Sequence, residues 1–163
     1  NLGAQWQPGE AGAQNFFHRF LENGLNHYPT HRDFPALNGT SRLSPHLHFG
    51  EISPHRIRAL CVQRRDGASR AFIRQLGWRE FAHHLLYYFP ETPSQPLRTS
   101  FAGFPWRKDR SGLRAWQQGR TGFPIVDAGM RELLTAGWMH NRVRMIAGSF
   151  LVKDLLLSWT EGA

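Results

Sequence analysis

The sequence predicts an all-α fold, and three observations favour this class. Apolar residues recur at helical spacing along most of the 163 residues, and strict alternation of apolar and polar residues is nowhere sustained. Serine, proline and glycine stand where the periodic segments begin and end. Because 40% of the residues are hydrophobic and 13% are aromatic, a chain of this length can build its own core. We therefore expect one helical domain over residues 1–163.

The first predicted helix covers residues 13–28 and follows the start signal "PGE". Its large apolar side chains fall on one side at 100° per residue, as in a helix that covers a core. These side chains are Phe16, Phe17, Phe20, Leu21 and Leu25. Residues 29–52 are rich in turn-forming residues, and we expect a connection there.

Two more helices are predicted before the middle of the chain. Ser53 followed by Pro54 is a good N-cap and first-turn pair, so a short helix should run from there towards Arg64. An aromatic-rich helix is predicted over residues 71–88, and Pro90 closes it because proline cannot continue a helix.

The second half of the chain begins with a long connection. Residues 90–112 contain four prolines, and a short helix is predicted after them, near Trp116. A longer helix starts behind Pro124 and stops at Gly137, since glycine is the residue expected just after the end of a helix. The last helix is predicted over residues 139–159.

This last helix has two distinct faces. The expected core stripe consists of Val143, Ile146, Ala147 and Phe150. The opposite stripe holds an amide, a guanidinium, a thioether and a glycine, in the residues Asn141, Arg144, Met145, Gly148 and Val152. Such small and polar residues suit a helix pressed against a ligand, although packing against another helix would explain Gly148 equally well.

The formal charge of +8 is carried by 18 arginines and two lysines, Lys108 and Lys153. An excess of arginine favours polyanionic partners and bidentate phosphate contacts. GC-rich coding also replaces lysine by arginine, so charge alone leaves both explanations open.

Several classes of protein are disfavoured by composition. The single cysteine, Cys61, excludes an internal disulfide, and the nine histidines lack partner cysteines at metal-binding spacing, so we expect no metal site. No apolar run approaches the roughly 20 residues of a membrane span, and the N-terminus lacks the features of a signal peptide. We therefore expect a soluble intracellular protein, located in the cytoplasm, without a membrane partner.

Four long motifs occur in a characteristic order: "YPTHRDFPALNGTSRLSPHLHFGEISP", "WREF", "GRTGFPIVDAGMREL" and "GWMHNRVRMIAGSFLVKDLLLSW". In these motifs the sequence resembles the FAD-binding helical domain of the DNA photolyase and cryptochrome family. Its pattern is most similar to that of microbial photolyases that repair cyclobutane pyrimidine dimers. Members of the family usually carry an α/β antenna domain before this region and a further helical segment after it. We expect both to be absent here, which makes residues 1–163 a partial FAD-binding domain, incomplete at its C-terminal side.

The segment "GTSRLS", residues 39–44, is open to two interpretations from its residues alone. Serine and threonine are common in turns, and the same hydroxyls and N–H groups can also bind a diphosphate. The family resemblance implies the second role, a grip on the FAD pyrophosphate after a tight turn at Gly39. The full set of cofactor-binding residues implied in this way is Tyr28, Thr40, Ser41, Arg42, Leu43, Ser44, Phe72, Arg79, Trp138, Asn141 and Arg144.

The resemblance also implies a DNA-binding surface, in which Trp78 stacks on damaged bases that have left the duplex. The DNA-binding residues expected from it are Arg32, Gln75, Trp78, Arg79, Asn141 and Arg142. The residues expected at the reaction itself are Asn141, Gln75, Trp78 and Met145. Asn141 would lie near the redox-active flavin nitrogen, and Met145 would touch the lesion.

Gln75 departs from the pattern of the dimer photolyases, which generally have glutamate at this position. Glutamine is common in the (6-4) photolyase and animal cryptochrome branch, whereas "HNR" at residues 140–142 differs from the His-His pair usual there. An amide can donate a hydrogen bond to a thymine carbonyl but cannot supply a proton. We retain the cyclobutane dimer as the expected substrate.

Trp106 and Trp159 match the outer and middle members of the tryptophan chain that photoreduces FAD in the family. Large aromatic residues are also ordinary core residues, and we assign Trp6, Trp116 and Trp138 mainly to packing. Trp138 flanks the expected flavin site. The innermost member of the chain would follow Ala163.

The sequence therefore predicts part of a light-driven DNA repair flavoprotein, a deoxyribodipyrimidine photo-lyase that acts on UV-damaged DNA and is monomeric at full length. A folate or deazaflavin antenna pigment would bind only the expected N-terminal domain. Two alternatives remain, a cryptochrome-type photoreceptor or (6-4) photolyase, and a basic helical DNA-binding module without flavin. We expect the chain by itself to retain FAD weakly and to be inactive.

Overall fold

The computed structural model describes residues 5–162, which form helices and connections without a β-strand. The chain divides into two compact units, Gly3–His84 and Leu85–Ala163, here called the N-terminal and C-terminal units. The predicted all-α class is confirmed.

The N-terminal unit begins with α1, Gly9–Arg19, which continues through a π-helical turn, Phe20–Gly24, and a 3-10 turn, Leu25–His27. The helices that follow are α2 (Tyr28–His31), α3 (Ser44–His48), α4 (Pro54–Arg64) and α5 (Gly67–Tyr88). The Ser53 hydroxyl accepts a hydrogen bond from the His55 N–H at 3.2 Å, which confirms the predicted N-cap of α4.

The core of this unit gathers aromatic and aliphatic side chains from α1, α2, α4 and α5. Its largest buried members are Phe17, Phe20, Leu25, Tyr28, Leu43, Ile57 and Phe72. Phe16 and Leu21, from the predicted apolar side of the first helix, are half-buried against it. Cys61 is fully buried, and burial raises the pKa of its thiol to about 11, so the group stays protonated at neutral pH.

The C-terminal unit contains three principal helices, α6 (Arg110–Gln117), α7 (Pro124–Ala136) and α8 (Asn141–Ser149). The helix α7 ends as predicted, because Gly137 adopts the left-handed conformation with φ of 66°. A π-helical turn, Phe150–Asp154, extends α8, and a separate 3-10 turn covers Trp159–Glu161.

Three details of the prediction are wrong. The last helix ends at Asp154 rather than near Trp159, since Leu156 has a positive φ of 55° that interrupts it. Ile146, placed in the core stripe, is 39% exposed, whereas Val143, Ala147 and Phe150 are buried. The connection over residues 29–52 contains α2 and α3, whose four and five residues are too short to show periodicity.

The contact between α7 and α8 depends on Gly129. A Cβ atom at this position would overlap Cγ1 of Val143, so only glycine allows this separation of the two helices. The Trp116 indole N–H donates to the carbonyl of Ala147 at 2.9 Å and ties α6 to α8. These contacts bury Val143 and Ala147 and fix the face of α8 that remains exposed.

The Asp127 carboxylate holds the turn before α7. It accepts hydrogen bonds from the Thr121 N–H at 2.7 Å, the Thr121 hydroxyl at 2.6 Å and the Gly122 N–H at 3.0 Å. Burial opposes ionisation of this group, but the three donors outweigh burial and lower the pKa of Asp127 below its usual range. The ionised carboxylate is therefore the form that stabilises the fold.

We expect Asp127→Asn to lower the free energy of unfolding at pH 7 and to flatten its dependence on pH below about 4, where an unfolded aspartate takes up its proton. The sign follows from the lowered pKa, because the stabilisation is present above the unfolded pKa and is lost as the pH falls through the folded one. Urea denaturation at several pH values measures both effects. Asp154→Asn, the same change at an exposed carboxylate, should have little effect, and equal losses in the two variants would contradict this role for Asp127.

Candidate cofactor and nucleic-acid site

The hydroxyl-rich loop, residues 39–44, is held close to the end of α2. A Cβ atom on Gly39 would lie 2.6 Å from the backbone carbon and oxygen of His31, so the close approach requires glycine. Gly39 has no positive φ, and its predicted role in a tight turn becomes a role in close packing. The loop is thereby fixed beside the Tyr28–His31 helix.

Arg42 gives this loop an unusual backbone. Its φ of 52° lies in the left-handed region, which costs a non-glycine residue about 1–2 kcal/mol, and Leu43 follows in the right-handed helical region. Alternation of a left-handed and a right-handed residue is the backbone pattern of an anion-binding nest, in which successive N–H groups turn towards one point. The Leu43 N–H makes only a long hydrogen bond, 3.4 Å, to the Ser41 hydroxyl.

An open cleft of about 540 Å³ lies beside this loop within the N-terminal unit. Thr40, Ser41 and Arg42 line it on one side, and Arg19 lines it elsewhere. No carboxylate is among the residues that line it in the described part of the chain. Hydroxyls and guanidinium groups without a nearby negative charge suit an anionic ligand.

A hydrogen bond between His46 and Glu51 supports the aromatic wall of the cleft. The His46 ring, 2% exposed, lies 2.5 Å from a Glu51 oxygen through Nδ1, and the other Glu51 oxygen accepts from the Gly9 N–H at 2.7 Å. These donors, His46 first, lower the pKa of Glu51. The His46 ring contacts Trp6 and Phe16, two aromatic residues of the cleft wall.

Tyr28 and Phe72, two predicted cofactor residues, lie in the core of the unit and do not line this cleft. Their rings are in edge contact at 5.2 Å, and both contact Phe20. The Arg32 guanidinium lies over the Tyr28 ring at 5.4 Å. Burial raises the pKa of Tyr28 above its usual value, with Arg32 opposing, so the hydroxyl stays protonated at neutral pH.

The middle of α5 presents the predicted lesion-binding residues at the surface. The Trp78 indole is 62% exposed and makes an edge contact with Phe81 at 5.8 Å, and Gln75 is half-buried one turn before it. Arg79 is already engaged, because it pairs with Glu80 at 2.7 Å and donates to the Leu47 carbonyl at 3.3 Å. Trp78 is thus available for stacking, whereas Arg79 also anchors α5.

The first turn of α8 exposes a polar group of side chains in the C-terminal unit. His140 caps the helix by accepting from the Arg142 N–H at 3.2 Å. The Met145 sulfur lies 3.9 Å from the Asn141 amide nitrogen and 4.0 Å from an Arg142 guanidinium nitrogen. The structure therefore brings together two residues predicted at the reaction, Asn141 and Met145, and one predicted to bind DNA, Arg142.

Gly148 distinguishes between the two interpretations of the polar stripe. A Cβ atom there would meet no described atom within 4 Å, so no described helix packs against Gly148. It lines instead a mostly apolar cleft of about 190 Å³ with Arg144, Val152 and Trp159. The glycine of this unit that makes a close contact with another helix is Gly129.

The remaining predicted tryptophans are dispersed within this unit. Trp106 is half-buried and packs on Phe104 at 4.4 Å, and it is not in ring contact with Trp159. Trp138 makes an edge contact with His140 at 6.2 Å. Leu43 is buried and Ser44 begins α3, so neither side chain lines the cleft beside the loop.

Sequence reasoning missed several residues of the cleft in the N-terminal unit. Trp6 is predicted mainly to pack, and Arg19, Asn23 and Asn38 are not among the predicted site residues, yet all four line the cleft. Asn38 accepts a hydrogen bond from Arg42 at 3.5 Å. Only folding brings these positions to one cleft, and no spacing in the sequence indicates it.

Residues 5–162 contain no group of three or more histidine, cysteine, aspartate or glutamate side chains arranged to hold a metal ion. Every helix described in this range is too short or too polar to cross a lipid bilayer.

Comparison with known proteins gives consistent matches. The model of the family described as "FAD binding domain of DNA photolyase" matches residues 72–163. A deoxyribodipyrimidine photo-lyase of Agrobacterium fabrum is 47% identical over 96% of this chain and 34% of its own length. Cryptochrome-2 of Arabidopsis thaliana is 42% identical over 99% of this chain and 28% of its own.

Solved structures agree with the sequence matches. The crystal structure of a bacterial class III photolyase from Agrobacterium tumefaciens superposes with a TM-score of 0.96 and 45% identity, over 99% of this chain and 34% of that one. The chain thus spans about a third of the length of the relatives it matches.

We expect Gly39→Ala to destabilise the protein by about 1–3 kcal/mol, because the added methyl group must displace the backbone of His31. Gly77→Ala is the matched control, since Gly77 lies inside α5 with open space around it and should gain up to about 1 kcal/mol from helix propensity. Urea denaturation followed by far-UV circular dichroism measures both. Equal stability of the two variants would show that the loop does not depend on this contact.

Proposed function

Because this chain belongs to the family of FAD-binding domains of DNA photolyases, we propose that it binds FAD and serves light-driven repair of cyclobutane pyrimidine dimers in UV-damaged DNA. The observation that supports this most strongly is the nest-like backbone of Arg42 and Leu43, left-handed and then right-handed, beside a cleft lined by Thr40 and Ser41. When bound, FAD supplies the light-driven electron that opens the dimer. Because the chain spans only a third of its relatives, the activity of the whole protein is part of this proposal.

The donor set of the N-terminal unit fits the diphosphate of FAD. Two hydroxyls, one guanidinium and the N–H groups of the nest present positive or donating groups, and Arg19 adds a second guanidinium to the cleft. The left-handed backbone at Arg42 is a local cost retained at this place, as is common at ligand sites. Thr40, Ser41 and Arg42 would hold the phosphates, and the roles of Leu43 and Ser44 stay predictions.

The exposed residues of α5 and α8 fit the handling of substrate. Trp78 offers an indole face to an unstacked base, and Gln75 can donate its amide to a thymine carbonyl. In the C-terminal unit, Asn141 and Met145 form one exposed group with Arg142, whose charge suits a DNA phosphate. Arg144 lies in the cleft with Trp159, where we propose that it tunes the charge of the flavin.

The remaining parts of the proposal come from family resemblance. Trp106 and Trp159 would pass electrons to the flavin, Arg32 would contact DNA, and Tyr28, Phe72, Arg79 and Trp138 would border the cofactor. We propose that the full-length protein is a cytoplasmic monomer. A folate or deazaflavin antenna would bind a preceding α/β domain.

One specific observation favours a second function. Gln75 occupies the position where dimer photolyases generally have glutamate, and a plant cryptochrome is 42% identical to the chain. A cryptochrome-type photoreceptor or a (6-4) photolyase is therefore the alternative. Assays of light-dependent repair on oligonucleotides carrying each photoproduct distinguish the three.

We expect Arg42→Gln to weaken FAD binding about 10- to 100-fold, because a charged hydrogen bond to a phosphate is worth about 1.5–3 kcal/mol. Quenching of flavin fluorescence during titration with the protein measures the dissociation constant. Arg56→Gln removes the same charge from an exposed position on α4 and should leave FAD affinity unchanged. Equal weakening in both variants would reject the loop as the phosphate site.

Trp78→Ala should lower the preference for damaged DNA, measured as the affinity for dimer-containing DNA divided by the affinity for undamaged DNA. We expect this ratio to fall by about 5- to 100-fold, the range expected for loss of one stacked base. Fluorescence anisotropy with the two duplexes measures this preference. Tyr87→Ala, which removes a 79% exposed aromatic ring of the same helix, is the control. A preference for damaged DNA that survives Trp78→Ala would contradict the assigned role.

A further inference from the structure

Residues 107–120, here called the cationic segment, carry half of the excess charge of the chain. The segment has five cationic side chains and one carboxylate, which gives a net charge of +4 out of +8 for the whole chain. The cations are Arg107, Lys108, Arg110, Arg114 and Arg120. None of them belongs to the cofactor or DNA residues implied by family resemblance.

The one carboxylate of the segment, Asp109, accepts hydrogen bonds from the first turn of α6. Asp109 accepts from the Gly112 N–H at 2.9 Å and the Ser111 hydroxyl at 2.7 Å, and these bonds lower its pKa. It forms no ion pair within 4 Å with the arginines around it. The guanidinium groups of Arg110 and Arg114 likewise have no hydrogen-bonding partner among the described residues.

Three arginines of the segment line one open cleft of about 640 Å³. Arg110 and Arg114 stand one turn apart on α6, and Arg120 follows the helix with its guanidinium hydrogen-bonded to the Gln118 side chain. No carboxylate is among the described residues that line this cleft. A neighbouring cleft of about 480 Å³ is bordered by Arg107, Lys108 and again Arg110, together with the carboxylates of Asp109 and Glu161.

The cations at the start of α6 do not serve the stability of this helix. The N-terminus of a helix favours negative charge, and although the N-cap Asp109 supplies one, Arg110 is the first residue of α6 and Arg107 and Lys108 come just before Asp109. Arg114, in the last turn, is the one cation that the helix dipole favours. Arg110 and Arg114 are like charges four residues apart, a spacing at which they repel each other. GC-rich coding explains arginine in place of lysine but not the lack of carboxylates on this helix. Charges that break local rules without a local gain point to a ligand.

We propose that the cationic segment binds the phosphodiester backbone of double-stranded DNA, at a surface distinct from the exposed group at Asn141 and Arg142. The clefts are open and their arginines largely exposed, which suits an extended row of phosphates better than a single enclosed anion. Arginine contacts of this kind release counterions and do not depend on base sequence. The surface would hold the protein on undamaged DNA. A protein held in this way has a higher local concentration of lesions around it, because lesions lie on the same DNA. Only the choice of DNA as polyanion rests on the proposed function.

The test measures binding to an undamaged duplex of about 20 base pairs, in the dark and without FAD, over a series of salt concentrations. We expect the double variant Arg110→Gln, Arg114→Gln to make the slope of log K against log salt shallower by about 1–2, since each phosphate contact contributes about 0.9. The control variant Arg56→Gln, Arg58→Gln removes the same charge from exposed positions two residues apart on α4 and should keep the slope. Equal changes in both variants would overturn the proposal, because net charge alone would then explain the binding.

A second variant guards against misfolding. Arg110→Lys, Arg114→Lys keeps both charges and should retain the slope of the wild type, with circular dichroism as the check on structure. Loss of the slope in this folded variant would contradict a backbone contact made by charge. The variants are also titrated with tripolyphosphate. Binding of tripolyphosphate that depends on these arginines, with an unchanged DNA slope, would replace the proposal by a site for small anions. Because damage, light and flavin are absent, failure here is distinguishable from failure of the repair function.

Discussion

The close approach of α7 and α8 at Gly129 determines what the C-terminal unit can present. With Val143 in contact with the glycine, α8 has one rotation in which Val143 and Ala147 are buried. The same rotation turns Asn141, Arg142 and Met145 outwards, because residues one or two positions along a helix from a buried residue lie on its flank or its opposite side. The polar group at the start of α8 is thus a consequence of one missing methyl group on the facing helix.

The N-terminal unit follows the same logic at a different place. Gly39 allows the hydroxyl-rich loop to lie against His31, and Arg42 then takes a left-handed backbone that turns N–H groups towards one point. Well-packed surroundings offset the free-energy cost of that backbone. Leu43 is buried, and the His46–Glu51 pair fixes the aromatic wall. Rigid support of this kind is what a site for phosphate groups requires, since donors must be held in place before the ligand arrives.

Acidic and basic side chains of the chain differ in whether they have partners within the fold. Three of the twelve carboxylates of the chain hold structural elements: Asp127 holds the turn before α7, Asp109 caps α6, and Glu51 pairs with a buried histidine. Arginines such as Arg110 and Arg114 are left without such partners. The positive field of the protein therefore depends on the positions of its carboxylates, which leave arginines such as these unpaired among the described residues, as well as on the number of its arginines.

The sequence by itself determined the helical class, the ends of α4 and α7 and most of the core stripes, because helix propensity, capping and periodicity are local properties. It also identified the family, since long motifs in order carry that information. Tertiary structure alone decided that Gly148 faces a cleft while Gly129 makes the close helix contact, that Ile146 is exposed, and that Trp6 and Arg19 join the loop at one cleft. The physical reason is that these outcomes depend on which distant atoms meet, and the spacing of residues along a chain does not specify such meetings.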